Sequence, residues 1–342
     1  MSSDPITVGV VMGGTSTEHD VSMKSGTGML GKLDRDKYTG FPIVISPENR
    51  WIWPKGRCGE YHLEELINCQ NDPGGDWEQV DFPCFRTFPR CDIMLIGLHG
   101  TGGEDGRLQG FLDLCGQAYT GSGCMGSAVA MDKIKSKELF TKSGILTPRY
   151  RVLAGEFGSD DTIKDLENQL GLPLVLKVPQ GGSSLGVTIA DSREELQLQL
   201  EHSREESGIL LVEECIRGRE ATCGYIENFE PLPPTEIIPL KDGFFNYEAK
   251  YDMQRTREVT PAEFEPVWIE KMQALAAQCH KVLGLSVYSR TDFMVKDNQL
   301  YVLETNSLPG FTDASILPQE AQAAGLNYTD LLTKIIEESL RK

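Results

Sequence analysis

Four polar side chains lie near one end of a strongly β-forming stretch that runs from Tyr288 to Asn306. Two β-rich runs flank a short turn signal in this stretch, so the pattern predicts a hairpin. Because side chains alternate between the faces of a strand, Arg290 and Asp292 share one face, as do Glu304 and Asn306. Oxygen ligands without Cys or His suit Mg²⁺ that is shared with substrate phosphates. The alternative is an exposed strand end that carries ordinary charges.

The length of the turn decides whether these groups can meet. Asp292 lies opposite Glu304 only if the hairpin has a three-residue loop, Asp297-Asn298-Gln299. A shorter, two-residue turn would place Asp292 opposite Leu303 and would separate the polar groups onto different faces. Three-residue loops need a residue in the left-handed region, which Asn tolerates better than most residues. We therefore predict the three-residue loop.

Two glycine-rich segments each follow a predicted buried strand. A strand over residues 92–98 leads into His99–Gly106, and a strand over residues 174–177 leads into Pro179–Gly186. Open α/β sheets bind ligands at the carboxyl ends of strands, and small residues let backbone N–H groups and hydroxyls surround a phosphate. Both segments are therefore candidate ligand loops. The alternatives are a hydrogen-bonded loop histidine in the first and a flexible loop without a ligand in the second.

Two further charged segments have plain structural explanations. Thr15 and Glu18 match a capping box at the start of a predicted helix, and locally this is the better explanation of Glu18. A second, basic amphipathic helix is predicted over residues 131–144, where Gly144 ends it. We expect Lys135 and Lys137 to lie on the solvated face of this helix.

Composition limits the kinds of protein that this chain can be. The chain has 342 residues and a formal net charge of −18, which disfavours nucleic acid and anionic membranes as partners but permits a small anionic ligand. No apolar run approaches the roughly 18 residues of a membrane span, and the first residues lack a basic secretory signal. Nine cysteines without a CxxC pair indicate reduced thiols. We therefore expect a cytoplasmic enzyme or binding protein with two or three domains.

The predicted elements divide the chain into three parts. We expect an N-terminal α/β domain over residues 1–123, a central domain over 124–214 and a C-terminal domain over 215–342. Residues 47–90 are rich in Gly, Pro and aromatics, and we expect them to be irregular. Strands are predicted over residues 6–12, 38–46, 92–98, 118–121, 174–177 and 209–213, and helices over residues 15–33, 107–115, 131–144, 261–283 and 327–340.

The order of the motifs resembles the D-alanine–D-alanine ligases of the ATP-grasp superfamily, and the match covers nearly the whole chain. This resemblance implies an α/β fold with an open parallel sheet in the N-terminal domain, and two α+β domains that clamp ATP between them. It rests on seven segments in order: Glu18-His-Asp-Val-Ser22, Leu98–Gly106, Met131-Asp-Lys133, Lys177 with Gly182–Gly186, Tyr247–Tyr251, Arg290-Thr-Asp292 and Glu304–Gly310.

The resemblance implies which residues bind ATP. Lys133 and Lys177 would contact the phosphates, Glu213 would hold the adenine end and Glu220 the ribose. Lys250 would reach the transferring phosphate from a closing loop, which we expect over residues 243–260. Further phosphate donors would be the hydroxyls of Ser183 and Ser184.

The same resemblance implies a metal site and an oxyanion site on the hairpin. Asp292, Glu304 and Asn306 would bind two Mg²⁺ or Mn²⁺ ions that bridge the phosphates. Arg290 and the backbone N–H of Gly310 would stabilise the oxyanion of a tetrahedral intermediate. A regulator that binds a nucleotide without chemistry would have no physical need for the whole set.

Two subsites for D-alanine follow from the resemblance. Glu18 would bind the ammonium of the first D-alanine, with His99 near its carboxyl end, and Ser183, Tyr251 and Glu18 would form a hydrogen-bonded triad. The second D-alanine's carboxylate would lie at Ser315 and Ile316. The family usually has leucine where this chain has Ile316. An extra charge, Asp313, lies nearby, and the family usually has Lys-Pro-Ala where this chain has Lys177-Val-Pro.

The resemblance implies an ATP-dependent ligase that makes D-alanyl-D-alanine for peptidoglycan, and we expect it to be a homodimer. The alternatives are a ligase that uses D-serine or D-lactate as second substrate, another amino-acid ligase, and a nucleotide-binding homologue without activity. The D-lactate-using relatives carry a histidine in the closing loop, whereas this chain has Tyr251. A neutral hydroxyl does not repel an incoming ammonium, so Tyr251 favours D-alanine over D-lactate.

Overall fold

The computed structural model describes residues 5–56, 59–81, 87–155, 157–181, 186–206, 208–239 and 256–342. Within these ranges the chain forms fourteen strands and ten helices, and the strands make three separate sheets. The α/β class expected from the sequence is confirmed.

The N-terminal sheet is parallel at its centre. Its first strand, β1, pairs in parallel with β2 on one side and with β5 on the other. The expectation that residues 47–90 are irregular is wrong, because β3 and β4 extend the sheet antiparallel beyond β2 and a helix lies between them in sequence. The elements are β1 (Ile6–Gly13), α1 (His19–Lys32), β2 (Tyr38–Ile45), β3 (Trp51–Pro54), α2 (Leu63–Asn71), β4 (Trp77–Val80), β5 (Ile93–Ile96) and α3 (Arg107–Cys115).

Two other predictions for this part of the chain also differ from the structure. Helix α1 begins at His19 rather than Thr15, and Glu18 is its N-cap residue without a side-chain capping hydrogen bond. The predicted capping box is therefore wrong, and Ser16 Oγ accepts the hydrogen bond from Glu18 N (3.2 Å) instead. The strand predicted over residues 118–121 is reduced to a single bridge between Tyr119 and Met94.

The central sheet is antiparallel and has its own core. Its strand order is β6-β9-β7-β8, and leucine and isoleucine side chains of two helices pack on it. The glycine-rich segment after residue 177 leaves the end of β7, as predicted, and its residues 182–185 lie outside the described part of the chain. The elements are β6 (Tyr150–Ala154), α6 (Asp160–Leu170), β7 (Leu174–Lys177), β8 (Val187–Ala190), α7 (Arg193–Glu206) and β9 (Ile209–Glu214).

The C-terminal sheet carries helices from two parts of the chain. Helices α4, α5 and α8 share one core with β10, β13 and β14, whereas α9 and α10 belong to the core of the N-terminal sheet. The helices predicted over residues 131–144, 261–283 and 327–340 are confirmed with shorter bounds. The elements are α4 (Cys124–Met131), α5 (Lys133–Lys142), β10 (Arg219–Ile226), β11 (Thr235–Pro239), β12 (Thr256–Val259), α8 (Pro266–Val282), β13 (Tyr288–Lys296), β14 (Gln299–Asn306), α9 (Ile316–Ala323) and α10 (Tyr328–Leu340).

The hairpin of β13 and β14 pairs Asp292 with Glu304, as predicted, but by a different route. The predicted three-residue loop is wrong: the turn has two residues, Asp297 and Asn298, and both have positive φ (49° and 58°), as in a type I′ turn. This turn alone would place Asp292 opposite Leu303. A β-bulge between Asp292 and the next residue shifts the register by one and restores the pairing with Glu304.

Candidate active site

The polar end of the hairpin is an ordered network centred on Asp292. Arg290 Nε and Nη2 donate to the two oxygens of this carboxylate, at 3.0 and 3.1 Å. Thr222 Oγ1, from the neighbouring strand β10, donates to Oδ1 at 2.5 Å, and Asn306 Nδ2 donates to Oδ2 at 3.1 Å. Burial alone would lower the pKa of Arg290, but the Asp292 carboxylate outweighs it and raises this pKa. The guanidinium is therefore a permanent cation in a buried position.

Glu304 connects the hairpin to the start of α5 and to the glycine-rich segment. Its Oε2 lies 3.1 Å from Lys133 Nζ, which also donates to the carbonyl oxygen of Gly181 at 2.8 Å. The residue before Lys133 fixes the start of the helix, because Asp132 caps α5 by accepting from the backbone N–H groups of Ile134 and Lys135. A cation, a carboxylate and the backbone of the loop thus meet at one place.

A second, more buried charged cluster lies where α5 meets strand β9 of the central sheet. The carboxylate of Glu213 on β9 lies 2.9 Å from Lys137 Nζ and 2.8 Å from Lys177 Nζ. Burial alone would raise the pKa of Glu213, but the two lysines reverse this and lower it. We name Lys137, Glu213 and Lys177 the buried triad. It holds two cations against one anion, so it carries a net positive charge beside the glycine-rich segment.

The placement of Lys137 corrects a prediction made from the sequence. Lys135 is exposed and pairs with Glu138 at 2.9 Å, as expected for a solvated face. Lys137 is only 1% exposed and donates to Thr147 Oγ1 at 2.6 Å, so its predicted place on the solvated face is wrong. Its counter-ion Glu213 is remote in sequence, and helix periodicity alone does not reveal such a partner. One signal was present, because Lys137 is four residues after Lys133 and so lies on the same helix face.

Glu18 and His99 lie together at the carboxyl end of the N-terminal sheet. The His99 ring contacts Ser25 Oγ through Nε2 at 2.8 Å, and its backbone N–H donates to Ser22 Oγ at 2.9 Å. The Glu18 carboxylate packs against Gly100, where a Cβ atom would lie 2.5 Å from Oε2 and where φ is +73°. Only glycine fits there. Serines of α1 thus fix the histidine loop against the glutamate.

The start of α9 packs against the segment that follows β14. Ser315 is the N-cap residue, and its Oγ accepts a hydrogen bond from the backbone N–H of Thr312 at 2.9 Å. A Cβ atom on Gly310 would lie 2.9 Å from this Oγ, so Gly310 packs directly against Ser315. Ile316 is the first residue of the helix, and Asp313 is exposed. The free N–H groups at a helix start favour a carboxylate ligand.

Two family profiles match the chain over most of its length. The profile described as D-ala D-ala ligase N-terminus matches residues 7–122, and the one described as D-ala D-ala ligase C-terminus matches residues 139–337. The chain belongs to the D-alanine–D-alanine ligase family.

Relatives in this family are similar over their full length. The D-alanine–D-alanine ligase of Desulfotalea psychrophila is 38% identical, with 99% of this chain and 97% of the relative covered. The crystal structure of the Bacillus anthracis enzyme complexed with ATP has 34% identity and a TM-score of 0.75, with 98% of each chain covered. A D-Ala:D-Ser ligase structure from Enterococcus faecalis has 28% identity and a TM-score of 0.86, with 98% and 100% covered.

The structure groups the described family residues into local clusters, which are the hairpin end with Lys133, Lys177 with Glu213, Glu18 with the His99 loop, and Gly310 with Ser315. Ser183, Ser184, Lys250 and Tyr251 lie outside the described residues, as does most of the predicted closing loop. Sequence reasoning missed Thr222, for which no sequence signal existed because its role depends on the pairing of β10 with β13. The residues that the structure describes are Glu18, His99, Lys133, Lys177, Glu213, Glu220, Arg290, Asp292, Glu304, Asn306, Gly310, Ser315 and Ile316.

Proposed function

We propose that this protein is an ATP-dependent ligase that joins two D-alanine molecules into D-alanyl-D-alanine for peptidoglycan. The arrangement at the end of the hairpin supports this reaction most strongly. Arg290 and Asp292 lie on one strand and Glu304 lies directly opposite, within ion-pair distance of Lys133. In a family of ligases, this set provides cations for an attack of one anion on another and carboxylates for a metal ion.

We propose that Asp292, Glu304 and Asn306 hold Mg²⁺, or Mn²⁺ in its place. Within the described part of the chain no cluster of three or more His, Cys, Asp or Glu residues could hold a metal ion. Asp292, Glu304 and Asn306 offer two carboxylates and an amide, and such oxygen donors suit a hard cation that also binds phosphates. When bound, two ions would neutralise charge on the phosphates of ATP. The number of two ions rests on the family resemblance.

The residues of this chain divide the first step between them. Glu18 binds the ammonium of the first D-alanine, and His99 orients its carboxylate toward ATP. Lys133 and Lys177 lie on the phosphates and offset the repulsion between the attacking carboxylate and the γ-phosphate. Glu213 and Glu220 hold the nucleoside. The carboxylate takes the γ-phosphoryl group as the bond to the β-phosphate breaks, ADP is the leaving group, and the acyl phosphate that forms must be kept from water.

The second step uses the residues that face the hairpin from α9. The carboxylate of the second D-alanine binds at the helix start, at Ser315 and Ile316, and its neutral amine attacks the acyl phosphate. Arg290 and the Gly310 N–H stabilise the oxyanion, and phosphate leaves. Because Arg290 donates two hydrogen bonds to the Asp292 carboxylate, its cation is in place before the charge develops.

A ligase that accepts D-serine is a second candidate. Asp313 is exposed close to Ser315 and can accept a hydrogen bond from an extra hydroxyl. Tyr251 argues against D-lactate, for the electrostatic reason given above.

Competition among second substrates tests this proposal. With D-alanine, D-serine and D-lactate present together, we expect D-alanyl-D-alanine as main product and little depsipeptide. Activity should rise between about pH 6 and about pH 8–9 as the amine loses its proton. Mass spectrometry of the products and phosphate release measure both. Dominant depsipeptide would refute the role of Tyr251, and absence of any D-alanine-dependent phosphate release would refute the ligase itself.

We further propose a cytoplasmic homodimer built from domains over residues 1–123, 124–214 and 215–342. The helix starting at Cys124 and the helix after it pack on the C-terminal sheet, so limited proteolysis should determine where the first boundary lies. Light scattering on a size-exclusion column measures the oligomeric state. None of the helices in the described ranges is long and apolar enough to cross a membrane.

A further inference from the structure

Lys137 is a buried cation that has no role in the reaction as described. Its side chain is 1% exposed, and its Nζ contacts Glu213 Oε1 at 2.9 Å and Thr147 Oγ1 at 2.6 Å. Thr147 Oγ1 in turn donates to the carbonyl oxygen of Val302 on β14 at 2.9 Å. The ammonium is therefore held by Glu213 of the central sheet and by Thr147, which is itself bound to β14, and it is shielded from solvent.

The two lysines of the buried triad differ in their freedom to move. Lys177 binds the other oxygen of Glu213, Oε2, at 2.8 Å and is the last residue of β7 before the glycine-rich segment. Its side chain is 10% exposed, against 1% for Lys137. Lys177 can therefore turn toward a bound phosphate, whereas Lys137 has no such path. If Lys177 leaves, Glu213 Oε2 loses its partner while Oε1 keeps Lys137.

A buried carboxylate cannot stay ionised without a cation. Burial alone raises the pKa of Glu213, and the two lysines lower it. Without Lys137, a movement of Lys177 toward the phosphates would leave an isolated buried charge, and Glu213 would take up a proton instead. The amino group of adenine requires an acceptor, and a protonated carboxyl is a weaker acceptor than a carboxylate.

We propose that Lys137 is a positioning residue that keeps Glu213 ionised and oriented while Lys177 moves from Glu213 to the phosphates of ATP. The amino group of adenine then replaces the ammonium of Lys177 at Glu213 Oε2. This inference rests on the proposed function, because it assumes that Glu213 faces the adenine and Lys177 the phosphates. The exchange makes the ligase specific for a nucleobase that donates a hydrogen bond at this position.

The test compares ATP with inosine triphosphate, which has an acceptor oxygen in place of the amino group. For the unaltered enzyme we expect a preference of about 10- to 100-fold in kcat/KM, because hydrogen bonds to charged groups are the strong ones. In Lys137→Met this preference should fall to about threefold or less. The loss should lie in KM for ATP, with KM for D-alanine and kcat little changed. An unchanged preference in folded Lys137→Met would overturn the proposal.

Lys135→Met is the matched control. It makes the same substitution on the same helix at an exposed position, and it should leave the nucleobase preference unchanged. The double variant Lys137→Met with Glu213→Gln should lose no more preference than Glu213→Gln alone, because Lys137 acts through Glu213. If the losses of preference in the two single variants add up in the double variant, Lys137 does not act through Glu213. If Lys137→Met does not fold, the nucleobase preference of Thr147→Val is measured instead. A fall in this preference supports the proposal, and an unchanged preference overturns it.

Calorimetry without D-alanine separates this inference from the proposed function. The affinities of the Mg²⁺ complexes of ATP and inosine triphosphate can be measured even if no dipeptide forms. A protein that binds ATP selectively through Lys137 but makes no D-alanine product would refute the ligase and leave the inference intact. A ligase with normal turnover and the same nucleotide preference in both Lys137→Met and Lys135→Met would refute only the inference.

Discussion

The hairpin end and the buried triad both pair carboxylates with cations, but they differ in burial and in the balance of charge. At the hairpin end the carboxylates of Asp292 and Glu304 keep 13% and 29% of their side-chain surface exposed, and their cations Arg290 and Lys133 come from one strand and one helix. The triad is almost completely buried and has two lysines for one glutamate. Glu304, the more exposed of the two carboxylates, can exchange Lys133 for a metal ion while Arg290 stays on Asp292. A buried carboxylate such as Glu213 instead needs a cation that stays bound to it.

The largest expected effect is on catalysis at the hairpin end. Glu304→Gln removes a charge from the proposed metal site, and we expect turnover to fall on the order of 10³-fold. The fold should survive, because the lost ion pair with Lys133 is partly exposed and contributes about 1 kcal/mol or less. ADP release and thermal melting measure the two effects. Asp297→Asn, which removes a carboxylate at the far end of the same hairpin, should leave turnover normal.

The next effect is on stability at the triad. Glu213→Gln leaves Lys137 and Lys177 buried without their anion, and we expect a loss of about 3–5 kcal/mol in the free energy of unfolding. Urea unfolding followed by circular dichroism measures it. The control is the neighbouring Glu214→Gln, which breaks a surface pair with Arg149 and should cost about 1 kcal/mol or less. Equal losses in the two variants would show that burial of the triad has no energetic consequence.

Glu320 on α9 extends the comparison to a buried carboxyl without a lysine. It is fully buried, and its Oε2 accepts a hydrogen bond from the backbone N–H of Gly224, the residue opposite Arg290. Burial raises its pKa to about 8, although the Gly224 hydrogen bond and Arg290 act in the other direction. The folded protein therefore holds a proton that the unfolded chain releases near its ordinary pKa of 4.5.

Stability should consequently fall as the pH rises from about 4.5 through about 8, because in this range only the folded state binds the proton. Glu320→Gln cannot ionise, so this contribution to the fall should disappear. We expect the melting temperature of the variant, relative to the unaltered protein, to be higher at pH 9 than at pH 5. A difference that is independent of pH would contradict the raised pKa.

The smallest expected effect is at the turn. Asn298 has a φ of 58°, where glycine has no steric cost, and type I′ turns favour glycine at this second position. Asn298→Gly should raise the free energy of unfolding by a few tenths of a kcal/mol without changing turnover. Replacement by Val, which resists positive φ, should lower it. Stabilisation by Val would show that the turn is not type I′.

The sequence was sufficient where residue order alone carries the information. The strand before the His99 loop and the pairing of Asp292 with Glu304 depend on local periodicity and on spacing, and these were predicted, although the turn that gives the pairing was not. The predicted position of Lys137 was wrong because its counter-ion, Glu213, lies on a strand of the central sheet that is far away in sequence. The segment over residues 47–90 was called irregular because its strands are only four residues long and give little periodic signal. The capping box failed because a hydroxyl next to the predicted one, on Ser16, accepts the Glu18 N–H.

The bulge makes the two arms of the hairpin unequal in length. Strand β14 takes six residues, Gln299 to Glu304, to cover the distance that β13 covers with five, Asp292 to Lys296. Leu303 is the extra residue, so its deletion would leave a regular ladder in which Asp292 still lies opposite Glu304. Deletion of a residue between Asp292 and the turn would instead double the excess of β14 and separate Asp292 from Glu304. Single deletions near this site should therefore be tolerated in β14 and not in β13.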